Sequence, residues 1–273
     1  MTTESSLPYN MCNRALSAAD LASLLTVYGH DGVVNDINIY RNAFVHRSYC
    51  TRKNENFVNG NVNCPPGCLP LQEESYERLE FLGDAVINLI IGRYLFERFP
   101  DENEGFLTKM RTKLVNGNML AHLGKLVDLG KYVIISKQID DNAGRSNKKV
   151  LEDCFEAFVG AMLLDSKSGS SVEAVEVWLI RLIEENIDFS DLIVANNNFK
   201  DMMLKHYQHT FGYVPRFYEV SAETHRSSKV YRICLKDNKE AVIATGTGGT
   251  KKEAENDCAK ITLKIHGLIP QNS

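Results

Sequence analysis

The chain has 273 residues, of which 44% are apolar and 24% are charged, and its formal net charge is −4. This ordinary composition excludes a collagen-like, wholly disordered or disulfide-scaffold protein. A weakly acidic total also gives no sign of a protein that coats nucleic acid, because such proteins are normally basic.

Targeting and membrane segments are not evident. No apolar run approaches the roughly 18 residues that a membrane span needs, and the first 15 residues lack the basic start and apolar stretch of a secretory signal. The seven cysteines are an odd number spread over a long chain, which favours reduced thiols. We therefore expect an intracellular protein, cytoplasmic or nuclear, with no membrane partner.

Apolar residues recur every three to four positions through the first two thirds of the chain. This rhythm predicts amphipathic helices over residues 77–99, 104–129, 150–164 and 172–187. Repeated asparagines and the prolines Pro65, Pro66 and Pro70 predict a long surface loop inserted over residues 50–74. Residues 1–190 are thus predicted to form an all-α domain.

The last third of the chain follows a different pattern. An Asn-rich break predicts a linker over residues 191–197. Beyond it we predict a helix over 199–211, strands over 216–221, 229–236 and 241–246, a glycine-rich turn over 246–249, and a helix over 250–265. The prediction is a small α+β domain of order α-β-β-β-α over residues 198–268, followed by a tail, 269–273.

Charge is divided unevenly between these parts. Residues 196–273 hold 12 basic and 8 acidic residues, a net charge of +4, which leaves −8 for residues 1–195. The small domain is therefore a candidate for binding an anionic partner, although the whole chain is acidic.

Carboxylates are patterned along two of the predicted helices. At about 100° per residue, Glu77, Glu80 and Asp84 fall within an arc of about 60°. A second helix repeats the i, i+3 spacing with Asp153 and Glu156. The side opposite the first stripe is predicted to face the core, and it carries Leu79, Leu82, Val86 and Leu89.

If the two helices pack with these stripes together, up to five carboxylates converge. Each pair at about 4 Å repels by about 4 kcal/mol at an effective dielectric constant near 20, so the cluster favours a cation. Oxygen ligands without His or Cys indicate Mg²⁺ or Mn²⁺ rather than zinc, and such sites support phosphodiester hydrolysis. Spacing alone leaves open the alternative that both stripes are solvated helix faces.

The letters of the first stripe are more specific than its spacing. Residues 77–85 read E-R-L-E-F-L-G-D-A, which resembles the signature of the ribonuclease III family. Further matches follow in the family's order and span most of residues 40–165. They are H-R-S-Y at 46–49, E-G-F-L-T-K-M-R at 104–111, L-V-N-G-N at 114–118 and D-C-F-E-A-F at 153–158.

The resemblance implies a ribonuclease III enzyme, a homodimer of helical endonuclease domains that hydrolyses double-stranded RNA with Mg²⁺, or with Mn²⁺ in its place. Its products would carry 5′-phosphate and 3′-hydroxyl ends with short 3′ overhangs. Position by position, it implies Glu80, Asp84, Asp153 and Glu156 as metal ligands, with Glu77 beside them, and Glu104 as an acid near the dimer interface. The loop over 50–74 is longer than compact bacterial members have, which indicates a eukaryotic or large-DNA-virus variant.

The small domain resembles a double-stranded RNA-binding domain. Lys251 and Lys252 stand in the first turn of its last helix, where backbone N–H groups and the helix dipole favour phosphates. By this resemblance the two lysines span major-groove phosphates, and His225 belongs to a loop that enters a minor groove. Only His225 remains of the family's Gly-Pro-x-His pattern, since Ala222, Glu223 and Thr224 precede it. Lys200 on the first helix is a further candidate contact.

A competing function is a binding protein that sequesters duplex RNA, for example to suppress RNA silencing. The complete set of acids argues against it.

A zinc site at Cys64 and Cys68, with Cys50 and His46 nearby, is a weaker alternative to a loop with free thiols, because the spacing lacks a second ligand pair.

Two other groups of residues favour ordinary structural interpretations. Arg145, Lys148 and Lys149 are predicted to be a solvated basic loop, with RNA contact as the alternative. Trp178 is predicted to be a core residue rather than a base-stacking platform.

Overall fold

The computed structural model describes residues 8–51, 64–166, 171–189, 192, 199–225 and 228–270. The chain divides into two compact units, Met1–Asp188 and Phe189–Ser273. Most of the predicted linker, 191–197, lies outside the described residues, as do residues 52–63 of the predicted loop and 271–273 of the predicted tail. Within the described ranges, no helix is both long and apolar enough to cross a membrane.

The first unit is built from helices, as predicted. They are α1 (Ala18–Thr26), α2 (Ile37–Asn42), α3 (Glu77–Arg98), α4 (Glu104–Val115), α5 (Gly117–Leu126), α6 (Lys137–Asp140), α7 (Lys148–Asp165) and α8 (Ser171–Asn186). Short 3₁₀ turns cover Arg47–Tyr49, Leu129–Lys131 and Gly144–Ser146.

Asparagine side chains start three of these helices. Asn103 accepts from the backbone N–H of Phe106, and Asn147 accepts from those of Lys149 and Val150. Asn116 accepts from the N–H of Met119 and has an extended backbone, so it ends α4 and begins α5. The prediction of one continuous helix over 104–129 is therefore wrong, because an N-cap interrupts the apolar rhythm.

Helix α7 lies at the centre of the first unit. Its Phe155 and Phe158 are fully buried, and their rings lie 6.1 and 5.5 Å from the ring of Trp178 on α8. Trp178 is itself fully buried and donates from Nε1 to the carbonyl oxygen of Leu24 at 2.9 Å. This confirms Trp178 as a core residue.

Helix α3 has a more exposed apolar surface than its sequence predicts. Leu79 and Val86 are buried, whereas Leu82 is only half-buried and Leu89 is 60% exposed. The prediction that all four face the core is thus wrong for Leu89. Phe81 is 81% exposed, which is unusual for a large aromatic side chain.

The described part of the predicted surface loop is partly packed. Leu71 is buried with Tyr9 and Tyr49, and Cys64 and Cys68 pack against the same cluster. The hydroxyl of Tyr49 donates to the carbonyl oxygen of Leu69 at 2.7 Å. Residues 64–74 are therefore anchored to the fold by Cys64, Cys68, Leu69 and Leu71, while other positions of this segment stay exposed as predicted.

The second unit confirms the α-β-β-β-α order. It consists of α9 (Phe199–Phe211), β1 (Arg216–His225), β2 (Ser228–Lys236), β3 (Val242–Gly248) and α10 (Lys251–Ile265), with the strands antiparallel in the order β1-β2-β3. Side chains from both helices and from β2 and β3 form its core, namely Met203, Tyr207, Leu235, Ala244, Cys258, Ala259 and Leu263.

Strand β3 is longer than predicted and includes Gly246 and Gly248. A Cβ on Gly246 would lie 2.2 Å from the backbone nitrogen of Cys258, and one on Gly248 would lie 2.5 Å from that of Ala254. These glycines therefore let α10 approach the strand and do not form the turn that we predicted.

Candidate metal centre and RNA-binding face

The candidate metal centre forms where α3 and α7 cross. A Cβ on Gly83 would lie 1.8 Å from the carbonyl oxygen of Glu156, and one on Gly160 would lie 2.3 Å from that of Leu79. Only glycine at both positions allows such close backbone contact. The glycine of the E-R-L-E-F-L-G-D-A segment therefore helps to bring the two acidic stripes together. Gly160 was missed because its role depends on the neighbouring helix.

Three of the predicted acids meet at this crossing. One carboxylate oxygen from each of Glu80, Asp153 and Glu156 lies within 4.8 Å of the other two. Asp153 and Glu156 are buried, with 9% and 7% exposure, and Glu80 is half-buried. In the part of the chain that the structure describes, this is the only such group of three His, Cys, Asp or Glu side chains. We call it the acidic triad.

The other two predicted acids lie outside the triad. Asp84 is exposed and accepts from Nδ2 of Asn88 at 2.9 Å. Glu77 is also exposed, and its Oε1 lies 3.8 Å from Nη1 of Arg47. Asp84 is close enough to act on the charge of Glu156, so its role as a fourth ligand stays a prediction.

Burial and mutual repulsion make it unfavourable for all three carboxyl groups of the triad to be ionised together. Burial, together with the carboxylates of Asp84 and Glu152, raises the pKa of Glu156 to about 8. Burial and the nearby Asp153 also raise the pKa of Glu80. At neutral pH Glu156 is therefore mostly protonated unless a cation is present.

A lysine from the first turn of α7 already supplies one positive charge. Nζ of Lys149 lies 2.7 Å from Oδ1 of Asp153 and 3.6 Å from Oε1 of Glu152. Its bond to Asp153 raises the pKa of Lys149. Lys149 is 65% exposed, as predicted, but it lies in helix α7 and pairs with the triad rather than belonging to a loop. The i, i+4 spacing from Asp153 is the signal that would have identified this contact.

The residues of the triad fit a hard divalent cation. All three offer carboxylate oxygens, the ligands that Mg²⁺ and Mn²⁺ prefer, and their mutual repulsion is what a bound cation would relieve.

Arg145 has a structural role that the sequence did not predict. Its Nε lies 3.0 Å from Oδ1 of Asp140, its Nη2 donates to Oδ1 of Asn13 at 2.8 Å, and its Nη1 donates to the carbonyl oxygen of Val133. These contacts tie together segments far apart in sequence. The prediction that Arg145 is simply a solvated basic residue is therefore wrong.

The thiols of Cys64 and Cys68 lie near each other but do not form a recognisable zinc site. Sγ of Cys64 lies 3.6 Å from the carbonyl oxygens of both Cys68 and Leu69. Among the described residues, no third ligand completes a metal-binding group with them.

A further groove lies beside the predicted interface acid, Glu104. Glu104 begins α4, and its Oε1 accepts from the hydroxyl of Thr108 at 2.8 Å. The groove has a volume of about 420 Å³, and Phe96, which is 71% exposed, lines it together with Glu104.

In the second unit, Lys251 and Lys252 begin α10 as predicted, and both are exposed. Thr250 is the N-cap and forms a reciprocal capping box with Glu253. Oε2 of Glu253 accepts from the backbone N–H groups of Gly249 and Thr250 at 2.9 and 3.2 Å. Two of the backbone donors near this helix start are thus already used within the domain.

The other two predicted RNA contacts are Lys200, which is paired within the domain, and His225, at the end of β1. Lys200 Nζ lies 2.6 Å from Oε2 of Glu255 and 4.9 Å from the centroid of the Phe217 ring, so it joins α9, α10 and β1. His225 ends β1, and its side chain lies outside the described part of the structure. Contact of either residue with RNA stays a prediction.

Comparisons with known proteins agree with both parts of this description. Residues 36–183 match the family described as ribonuclease-III-like, and residues 200–266 match the double-stranded RNA binding motif. The chain is 33% identical over 254 residues to a probable ribonuclease 3 of Acanthamoeba polyphaga mimivirus. That alignment covers 92% of this chain but only 46% of the viral protein.

Bacterial relatives cover less of this chain and more of their own length. The ribonuclease 3 of a Nitratiruptor species is 36% identical over 189 residues, which is 69% of this chain and 81% of that protein. A solved nuclease domain of ribonuclease III from Campylobacter jejuni is 30% identical, covering 63% of this chain and 99% of that one, with a TM-score of 0.49. On the family matches and these sequence relatives, the chain belongs to the ribonuclease III family, with a nuclease domain followed by a double-stranded RNA-binding domain.

Proposed function

We propose that this protein is a Mg²⁺-dependent endoribonuclease that cleaves double-stranded RNA as a homodimer, with Mn²⁺ able to replace Mg²⁺. The observation that carries the proposal is the acidic triad at the crossing of α3 and α7. Ribonuclease III enzymes depend on a divalent metal, and these residues offer one a site made of oxygen ligands. The expected products carry 5′-phosphate and 3′-hydroxyl ends with short 3′ overhangs.

Each acid has a proposed part in this reaction. Glu80, Asp153 and Glu156 hold the cation, Asp84 completes the ligand set, and Glu77 lies beside it. When bound, the divalent cation would activate water and offset negative charge on the phosphate. The hydroxyl of Tyr76 donates to Oδ2 of Asp153 at 3.4 Å and is a further polar contact of this carboxylate.

The decisive experiment incubates long duplex RNA with the full chain and Mg²⁺. We expect internal cleavage that EDTA abolishes and that Glu156→Gln reduces by at least about 100-fold, as loss of a positioned charged group does. Glu185→Gln is the matched control, because it removes the same charge from an exposed position on α8. No cleavage by the wild-type protein, or equal cleavage by Glu156→Gln, would refute the proposal.

The exposed surface of α3 supports the homodimer. Phe81 projects from α3 beside a groove of about 950 Å³, which Ile39, Leu82 and Leu164 help to line. In a twofold dimer, Phe81 of each copy can enter the groove of the other, since one surface then serves both subunits. Burying two such rings stabilises association by about 3–6 kcal/mol. Glu104, beside its own groove, is a proposed further interface residue.

Light scattering tests this part of the proposal separately. We expect the wild-type protein to have the mass of two chains and Phe81→Asp to have the mass of one. Val27→Asp, at an exposed apolar position after α1, controls for adding the same charge and should remain dimeric. A dimeric Phe81→Asp variant would show that this surface does not hold the subunits together.

RNA binding by the small domain is the last part of the proposal. Lys251 and Lys252 are proposed to contact phosphates across a major groove, with Lys200 and His225 as further contacts. Such binding follows the shape of the duplex rather than its sequence and weakens with salt.

A further inference from the structure

One carboxylate of the second unit pairs with a lysine at the start of α10. Oε2 of Glu219, on β1, is 2.7 Å from Nζ of Lys251. The same Nζ is 5.9 Å from the centroid of the Tyr231 ring, and Nζ of Lys229 is 4.9 Å from that centroid. Glu219, Lys229, Tyr231 and Lys251 thus form one group, which we call the Tyr231 cluster.

Strand geometry places Glu219 on the side of the sheet from which α10 approaches. Phe217 and Glu219 are two residues apart on β1, so they share the face of the sheet that packs against the helices. Phe217 packs against the core, whereas Glu219 is exposed. The β1–β2 register shifts between Glu219 and Ser221, so the regular alternation ends immediately after Glu219.

The Tyr231 cluster resembles an anion site that already holds an anion. Two ammonium groups share one aromatic ring, and a carboxylate occupies the side of Lys251 at ion-pair distance. The side chains of Lys251 and Glu219 are 63% and 39% exposed, so the pair is open to solvent and is weak enough to separate. A phosphate oxygen would make the same kind of charge-assisted contact with Lys251.

We infer that Glu219 competes with RNA phosphate for Lys251, so that duplex RNA must displace this carboxylate before Lys251 can bind it. The inference rests on the proposed contact between Lys251 and phosphate. Removing the carboxylate while keeping the size of the side chain should therefore tighten RNA binding. An exposed ion pair changes an equilibrium constant by about two- to fivefold, and this is the gain in RNA affinity expected for Glu219→Gln.

The test measures the affinity of the full chain for a fluorescent RNA duplex of about 20 base pairs, long enough for one domain to span. EDTA in the buffer prevents cleavage, so the affinities report binding alone, and a failed nuclease assay would leave them unchanged. Glu240→Gln is the matched control. It removes the same charge from the same domain, but Glu240 pairs with Lys236 at the end of β2, away from α10.

We expect Glu219→Gln to bind about two- to fivefold more tightly than wild type and Glu240→Gln to change less. Lys251→Ala should weaken binding, and in that background Glu219→Gln should give no more than the Glu240→Gln effect. The gain should shrink as salt is raised. Equal gains from both Gln variants, or a gain from Glu219→Gln that survives loss of Lys251, would overturn the inference.

The same binding measurements give a different result if the proposed contact between Lys251 and phosphate is wrong. If wild type binds no duplex, or if Lys251→Ala binds as tightly as wild type, then Lys251 does not contact phosphate and both proposals for it fall. Thermal melting of each variant confirms that the substitutions leave the domain folded.

Discussion

The crossing of α3 and α7 can be tested by adding one methyl group, through Gly83→Ala. The new Cβ would lie 1.8 Å from the carbonyl oxygen of Glu156 and 2.5 Å from the carbonyl carbon. Both are backbone atoms, so neither can rotate away. Ordinary contact begins at about 3.4 Å, and the two helices must therefore separate by roughly 1.5 Å at this point.

The expected change in the free energy of unfolding is the balance of two opposing effects. Overpacking of this kind costs about 1–3 kcal/mol, whereas replacing glycine within a helix gains up to about 1 kcal/mol. We expect a net loss of about 1–2 kcal/mol in the free energy of unfolding. The effect on activity should be larger, because Glu80 lies on α3 and Glu156 on α7, and a displacement of about 1 Å can reduce a rate about 100-fold.

Gly92→Ala is the control, since it adds the same methyl group to α3 where no atom lies within 4 Å of the new Cβ. It should stabilise the protein by up to about 1 kcal/mol and leave Mn²⁺ affinity unchanged. Urea unfolding, calorimetric Mn²⁺ titration and the rate of duplex cleavage give the three readouts. If Gly83→Ala binds Mn²⁺ and cleaves RNA as wild type does, helix separation does not control the metal centre.

Three further predictions concern charge. Lys149→Gln should tighten Mn²⁺ binding about three- to tenfold in calorimetry, because the ammonium group near the triad repels a cation; unchanged affinity would contradict this. In EDTA, thermal stability should fall as pH rises from about 5 to 8, since the folded state holds the Glu156 proton up to about pH 8 and the unfolded state releases it near 4.5. Glu156→Gln should flatten that slope, and an equal slope in this variant would show that other groups cause it. Arg145→Met should lower the free energy of unfolding by about 2–4 kcal/mol in urea because it removes the bonds of the guanidinium group to Asp140, Asn13 and the carbonyl oxygen of Val133, whereas Lys148→Met, at an exposed position, should change it by less than about 0.5 kcal/mol.

The sequence predicted well those features that one helix determines by itself. Glu80 and Asp153 with Glu156 were assigned to acidic stripes because spacing fixes which residues share a helix face. The meeting of these stripes depends on Gly83 and Gly160 together, and no periodicity within one helix reveals which face approaches a neighbour. The residue types of the 77–85 segment, rather than its spacing, indicated that the two stripes meet.

Two errors concern residues whose surroundings no local pattern reveals. Arg145 bonds to Asn13, 132 residues away, which no local pattern indicates. Leu89 fits a core-facing stripe by spacing but lies on the exposed face of α3, as Phe81 does. An apolar residue that faces a second subunit has the same sequence signature as one that faces the core.

The charges of the acidic triad lead to a final prediction, that EDTA abolishes cleavage without unfolding the nuclease domain. Two features of the chain already reduce the repulsion between the carboxylates of the triad. Glu156 retains its proton at neutral pH, and Lys149 pairs with Asp153. The core of this unit is apolar, since Phe155 and Phe158 of the same helix are fully buried against Trp178. This differs from a structural zinc domain, whose ligands have no folded arrangement until the metal binds. Circular dichroism should therefore show the same helical signal with Mg²⁺ and with EDTA, and the melting temperature should rise with Mg²⁺ only as far as ligand binding requires. Loss of helical signal in EDTA would mean that the cation builds this site rather than occupying it.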